Sequence, residues 1–179
     1  MKLIYLTLLI VILILDFKKN KRKSLFSLNY HKLKRFIMGS QNEIIENLWL
    51  GDNLSSLDNN FLQSKNIKLV FNCTKDLPFT NLDIQKIRIP IEDNRSNESN
   101  EMLLEKFNEY YDLIDNNLNN GILVHCYAGC QRSATLVALY LMKKNNIMFD
   151  DAKKIIRLKR YFAFFPRINF YKILYNNSI

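Results

Sequence analysis

The stretch from Gly121 to Lys144 constrains this chain more than any other. Gly121-Ile-Leu-Val-His125 is a short run, apolar up to its final histidine. A polar loop containing a glycine follows at once, and then Ser133–Lys144, apolar over most of its length. Such a pentapeptide suits a strand buried on both faces, and the run after the loop suits a buried helix. A strand that turns directly into a helix is half of a crossover unit, which calls for a parallel sheet.

The rest of the globular part agrees. Ile44–Leu50, ending at Gly51-Asp52, reads as a short strand and turn, Ile67–Cys73 as a buried strand, and Leu82–Ile89 as another. Leu54, Leu57, Phe61 and Leu62 recur at helical spacing. Pro90–Asn100 is a polar loop, and Leu103, Leu104, Phe107, Tyr110, Tyr111, Ile114 and Leu118 predict one long amphipathic helix over Asn100–Leu118. A further helix is expected over Asp150–Arg160 with Asp150 as its cap, and a last one opening at Pro166. Alternating strands and helices of these lengths predict an α/β fold with a mainly parallel sheet.

Charge has to be located before it is interpreted. The 179 residues carry a formal net charge of +9, which invites a nucleic-acid reading. Nine of the 26 basic residues lie in residues 1–38, beside a single acid, Asp16. Residues 39–179 are therefore almost neutral, and no nucleic-acid partner is expected. Within them, residues 39–131 hold seven basic and fourteen acidic groups, whereas 132–179 hold ten basic and two acidic.

Residues 1–38 form a separate apolar and basic segment preceding a domain over 39–179. A helix over the apolar run Leu3–Leu15 would span about 20 Å, short of a hydrocarbon core of about 30 Å. Snorkelling of Lys2 and Lys18 lengthens it towards the lower limit. The cluster Lys18–Lys23 after the run would then keep the following domain in the cytosol. The segment is either a membrane anchor of this kind or an upstream extension of a reading frame that starts at Met38.

The chemistry lies in His125-Cys126-Tyr127-Ala128-Gly129-Cys130-Gln131-Arg132-Ser133. Between a buried strand and a helix N-terminus, backbone N–H groups and the helix dipole favour an anion. A cysteine there, beside an arginine, has a lowered pKa and attacks as thiolate, which makes Cys126 the candidate nucleophile. The planar fork of Arg132 can grip two phosphoryl oxygens. Gly129 permits the tight backbone that turns successive N–H groups inward. Ser133 can donate a hydrogen bond to the sulfur and help it leave a phosphocysteine. The phosphate-binding set is therefore Tyr127, Ala128, Gly129, Cys130, Gln131 and Arg132.

Through His125-Cys-Tyr-Ala-Gly-Cys-Gln-Arg-Ser-Ala-Thr135, the sequence resembles the cysteine-based dual-specificity protein phosphatases. The resemblance extends to Glu46-Asn-Leu-Trp-Leu-Gly51, Ile67-Lys-Leu-Val-Phe-Asn-Cys73 and Leu136-Val-Ala-Leu-Tyr-Leu-Met142, and covers roughly residues 43–175. It implies a single domain with a central sheet of about five strands flanked by helices. It also implies a shallow pocket that admits phosphotyrosine, phosphoserine and phosphothreonine. Ile89-Pro-Ile-Glu-Asp-Asn94 is similar to the family's acid loop, which makes Asp93 the general acid and then the base, with Glu92 as substitute. The resemblance further implies that His125 orients the loop and stabilises the thiolate by hydrogen bonding. Cys73 and Cys130 are either small buried hydrophobes or, as some phosphatases of the superfamily suggest for the Cys73 position, partners for Cys126 on oxidation. No cofactor is implied, and two His and three Cys show no metal-ligand spacing.

Two departures concern the segment after the last basic helix, which packs under the catalytic loop in the family. Tyr161 stands where the family usually has Pro, Arg167 stands where it has Asn, and one extra residue lies between. Among substrates, phosphoproteins come first, because Tyr127, Ala128, Cys130 and Gln131 include no Lys or Arg to meet extra phosphates. The alternatives are a membrane-associated phospholipid phosphatase of the same fold and a non-catalytic phosphate-binding scaffold.

Overall fold

The computed structural model describes residues 35–175. The apolar run Leu3–Leu15 and the basic cluster after it lie outside these residues. Among the described residues, no helix is long and apolar enough to cross a membrane.

Five strands form one sheet: β1 (Gln41–Ile45), β2 (Leu48–Gly51), β3 (Ile67–Asn72), β4 (Gln85–Arg88) and β5 (Gly121–His125), in the order β1-β2-β5-β3-β4. The first pair is antiparallel and the other three pairings are parallel. The chain is thus an α/β protein with a mainly parallel five-stranded sheet, as expected. The single strand expected at Ile44–Leu50 is instead a hairpin, because Asn47 adopts φ 61, a left-handed conformation that asparagine tolerates, and reverses the chain. Its side chain ties the turn down by donating from Nδ2 to the Leu118 carbonyl at 2.9 Å.

β5 lies at the centre, with all five residues buried. Its alternation divides the apolar contents. Ile122 and Val124 join Leu48, Leu50, Leu69 and Phe71 in the larger core, whereas Leu123 joins Ile67, Val70, Phe61 and Leu62 in the smaller. The smaller core is covered by α1 (Asn59–Ser64), whose start is fixed by Asp58 Oδ1 accepting from Phe61 N at 3.0 Å.

The larger core is covered by α2 (Asn97–Glu105), α3 (Phe107–Asn117), α4 (Arg132–Asn145), α5 (Phe149–Lys159) and α6 (Tyr171–Tyr175). The one long helix expected over Asn100–Leu118 is divided at Lys106, which leaves helical geometry at φ −106, ψ 8. The break carries neither proline nor glycine. Its first half starts earlier than expected because Ser96 Oγ caps it, accepting from Ser99 N at 3.2 Å.

Two other expectations shift at helix starts. Asp150 lies inside the first turn of α5, after Met148, and its carboxylate accepts from Lys153 and Tyr175. An acid there still favours the helix through its dipole. Pro166 lies in the loop before α6, joined to Phe165 by a cis bond, and opens no helix.

The helix that matters most to the site is α4. Ten consecutive residues, Ser133 to Met142, are buried, so its N-terminus is fixed against the sheet at the end of β5. Burial of these side chains contributes on the order of 1.5–3 kcal/mol for each large aliphatic one. The same packing therefore holds the loop between β5 and α4.

Candidate active site

The loop from Cys126 to Gln131 leaves the C-terminal end of β5 and enters α4 at Arg132. A ligand crevice beyond the carboxyl ends of parallel strands is the usual place for chemistry in such a sheet. Cys126 Sγ is turned into the loop, where Gly129 N–H and Ser133 Oγ both donate to it at 3.2 Å. Burial pushes the Cys126 thiol up, but the Arg132 charge and the Ser133 hydroxyl and N–H together outweigh it. The thiol is held below its ordinary value of 9.0, with the nearby Asp93 charge opposing. Arg132 Nε is buried and has no hydrogen-bond partner among the described residues.

Gly129 has φ +62, and a Cβ there would strike the Gly51 carbonyl and lie 2.6 Å from Arg160 Nη2. Glycine is required by both conformation and space. Tyr127 is exposed, whereas Cys130 is buried, its Sγ donating to the Ala128 carbonyl at 3.2 Å. The Gln131 side chain is committed elsewhere: Nε2 donates to Arg167 O at 2.6 Å, and Oε1 accepts from Asn169 N at 3.2 Å.

The loop is supported from beneath by Arg160, which is 1% exposed. Its Nε donates to Gly129 O at 2.6 Å, Nη2 to Ala128 O at 3.1 Å, and Nη1 to Asn42 Oδ1 at 2.7 Å. Phe164 N adds a bond to Cys130 O at 2.8 Å. The segment with Tyr161 and Arg167 at the unusual positions thus packs under the loop all the same. In the sequence Arg160 heads the segment that the resemblance places under the loop, but nothing in its spacing marks it as the buried anchor.

His125 differs from expectation. Its ring is fully buried and neither nitrogen has a hydrogen-bond partner among the described residues, so it donates nothing to the Cys126 sulfur. Burial lowers its pKa to about 4, against a weaker pull upward from the Cys126 peptide group and Asp52. Its backbone does the positioning instead, the carbonyl accepting from Cys73 N at 2.8 Å.

Cys73, Cys126 and Cys130 are all free and buried. Burial pushes the Cys73 thiol well above its ordinary value, and the Cys126 charge adds to this, against a weaker lowering by Arg132. The two thiols at neighbouring strand ends are thus driven in opposite directions.

Asp93 lies on the exposed loop after β4, and its Oδ1 accepts from Asn169 Nδ2 at 2.6 Å. Glu92 is turned away, paired with Lys75 and accepting from Asn94 Nδ2 at 2.7 Å. Of the two carboxylates, Asp93 is therefore the one with no ion pair among the described residues. Sequence reasoning missed Asn169 entirely, because its role depends on a contact 76 residues distant. Among the described residues, no group of three or more His, Cys, Asp or Glu could hold a metal ion.

The family model for the dual specificity phosphatase catalytic domain matches residues 48–178. The chain belongs to the dual-specificity phosphatase family. Human dual specificity protein phosphatase 6 is 37% identical over 123 residues, which cover 66% of this chain and 31% of that protein. Dual specificity protein phosphatase 1B of Arabidopsis thaliana is 32% identical over 126 residues, covering 68% of this chain and 72% of that one. The chain thus matches less than a third of the length of the human relative. The crystal structure of human DUSP28 superposes with a TM-score of 0.67 at 19% identity, over 75% of this chain and 90% of that one. At that identity the superposition speaks for the fold, which is the dual-specificity phosphatase fold.

Proposed function

We propose that this dual-specificity phosphatase removes phosphate from tyrosine and from serine or threonine in proteins through a phosphocysteine on Cys126. The observation that carries the reading is the lowered thiol of Cys126, held by two donors at the N-terminus of α4 beside Arg132.

In the first step the Cys126 thiolate attacks phosphorus in line, the P–S bond forms and the P–O ester bond breaks. Asp93 gives its proton to the departing phenolate or alkoxide. The backbone N–H groups of residues 127–131 and the guanidinium of Arg132 meet the equatorial oxygens, where charge is carried through the transition state. In the second step Asp93 takes a proton from water, the oxygen attacks phosphorus, and the P–S bond breaks. Ser133 donates to the departing sulfur. His125, neutral across the working range, takes no proton in either step.

Phosphoproteins are preferred as substrates because the loop offers no cation besides Arg132 at the phosphate. The test is phosphate release from phosphotyrosyl and phosphothreonyl peptides beside soluble phosphoinositides. Release from both peptides, abolished in Cys126→Ser, is expected. Equal residual activity in Cys126→Ser would end the covalent mechanism, and turnover of phosphoinositides alone would end the protein assignment.

A further inference from the structure

Lys75, on the turn after β3, pairs with Glu92 of the acid loop. Both side chains are about half exposed, and ion pairs in that setting add little to stability. The turn that presents Lys75 is nevertheless tightly built. Asn72, fully buried, accepts on Oδ1 from Thr74 N at 3.1 Å and Thr74 Oγ1 at 2.6 Å, and donates to Leu77 O at 2.9 Å. From the other side Arg88 donates to the carbonyls of Thr74 at 3.0 Å, Lys75 at 3.1 Å and Leu77 at 2.8 Å. The turn also starts beside the catalytic loop, where Cys73 N–H donates to the His125 carbonyl. One exposed cation is thus carried on a fixed backbone and aimed at the acid loop.

Glu92 needs such a restraint. It adjoins Asp93, and the Arg132 charge reaches it, as the Asp93 charge reaches Cys126. Arg132 forms no ion pair among the described residues, and its buried Nε has no hydrogen-bond partner there. A carboxylate is the natural partner of a guanidinium fork, so Glu92 turned inward would compete with phosphate for Arg132. Instead both its oxygens are taken: Oε1 by Lys75, and Oε2 by Asn94 Nδ2 at 2.7 Å. The Lys75 contact holds the Glu92 carboxyl below its ordinary value, and Arg132 adds a smaller pull.

We propose that Lys75 is a positioning residue that keeps Glu92 off Arg132 and so leaves the phosphate site open. The proposal rests on the phosphatase reading, which makes Arg132 the phosphate ligand. The neutral amide of Asn94 cannot do the same work, because only a cation offsets the attraction of Glu92 to Arg132.

The experiment titrates the full chain with inorganic phosphate by calorimetry and follows hydrolysis of a phosphotyrosyl peptide in parallel. Lys75→Met, which keeps the length and loses the charge, is expected to bind phosphate about fivefold more weakly, the worth of one exposed ion pair. Its KM for the peptide rises by a similar factor with kcat little changed, and Lys75→Arg stays near wild type. Adding Glu92→Gln to Lys75→Met restores both phosphate affinity and KM, because the competing carboxylate is gone. Unchanged affinity in Lys75→Met overturns the proposal. So does a loss that Glu92→Gln fails to repair, which would mean that the pair only braces the loop. If the wild type binds phosphate but cleaves no peptide, the phosphatase reading fails and the phosphate titrations alone decide the role of Lys75. A wild type that binds no phosphate refutes both.

Discussion

The two loops proposed to meet the substrate are built in opposite ways. The catalytic loop is packed between β5 and α4, and the guanidinium of Arg160 holds two of its carbonyls from below. The acid loop is exposed, and Asp93 is held at its tip by a single amide from Asn169. The difference follows from the chemistry each must do. A thiolate needs fixed donors and exclusion of water, and both come from burial. A general acid must reach a leaving group that differs between tyrosine and threonine, which suits a less constrained support. Damage to the first loop should therefore cost stability together with activity, and damage to the second should cost activity alone.

The sharpest way to break this contrast is Gly129→Ala. Its methyl group would strike the Gly51 carbonyl in a backbone conformation that alanine resists, so activity should fall to background and the unfolding midpoint should drop. Retained activity would show that the loop is not tightly built. Next is Arg160→Met, which keeps the bulk and leaves Gly129 O, Ala128 O and Asn42 Oδ1 without their donor. A buried acceptor left unpaired costs roughly 1–3 kcal/mol, so denaturant unfolding should show a loss of about 3 kcal/mol or more.

His125 gives the same region a pH signature. Its folded pKa of about 4 lies below the ordinary 6.5, so the unfolded chain binds the proton first as pH falls. Stability is fully present above 6.5 and declines as pH falls towards 4, by an amount on the order of 3 kcal/mol. His125→Asn should flatten the slope of stability with pH over that window. An unchanged slope would place the titrating group elsewhere.

On the acid loop, Asp93→Ala should lower kcat by about 10²–10⁴, the usual worth of a general acid, and leave the unfolding midpoint in place. Asn169→Ala should give the smallest effect, a several-fold loss in kcat with KM little changed, because it only positions the carboxylate. A drop in stability as large as that of Arg160→Met would erase the contrast between the loops.

The same contrast explains what the sequence made legible. β5, the catalytic loop and α4 were readable because nucleophile, glycine, arginine and flanking burial all lie within one continuous stretch. The count of about five strands followed from the resemblance, which also likens Glu46–Gly51 to an opening strand pair, whereas residue patterning alone reads one strand at Ile44–Leu50 because the turn depends on the left-handed conformation of one asparagine. Supports that arrive from elsewhere in the chain were hidden. Arg160 reaches its carbonyls across 31 and 32 residues, and Asn169 reaches Asp93 across 76. Both look like ordinary surface residues until the fold brings them in. The hydrogen bond expected from His125 to the sulfur is absent for a related reason: sequence shows that it adjoins Cys126, and not that its ring is buried with no hydrogen bond to the Cys126 sulfur among the described residues.

The central claim is that this geometry lowers the pKa of Cys126 and so favours its thiolate. It is tested most directly by following the alkylation of Cys126 by iodoacetamide against pH, with the modified peptide identified by mass spectrometry. Reactivity should titrate below the ordinary thiol value of 9.0, and Ser133→Ala should move the midpoint upward. A midpoint at or above 9.0 in the wild-type protein would contradict the account.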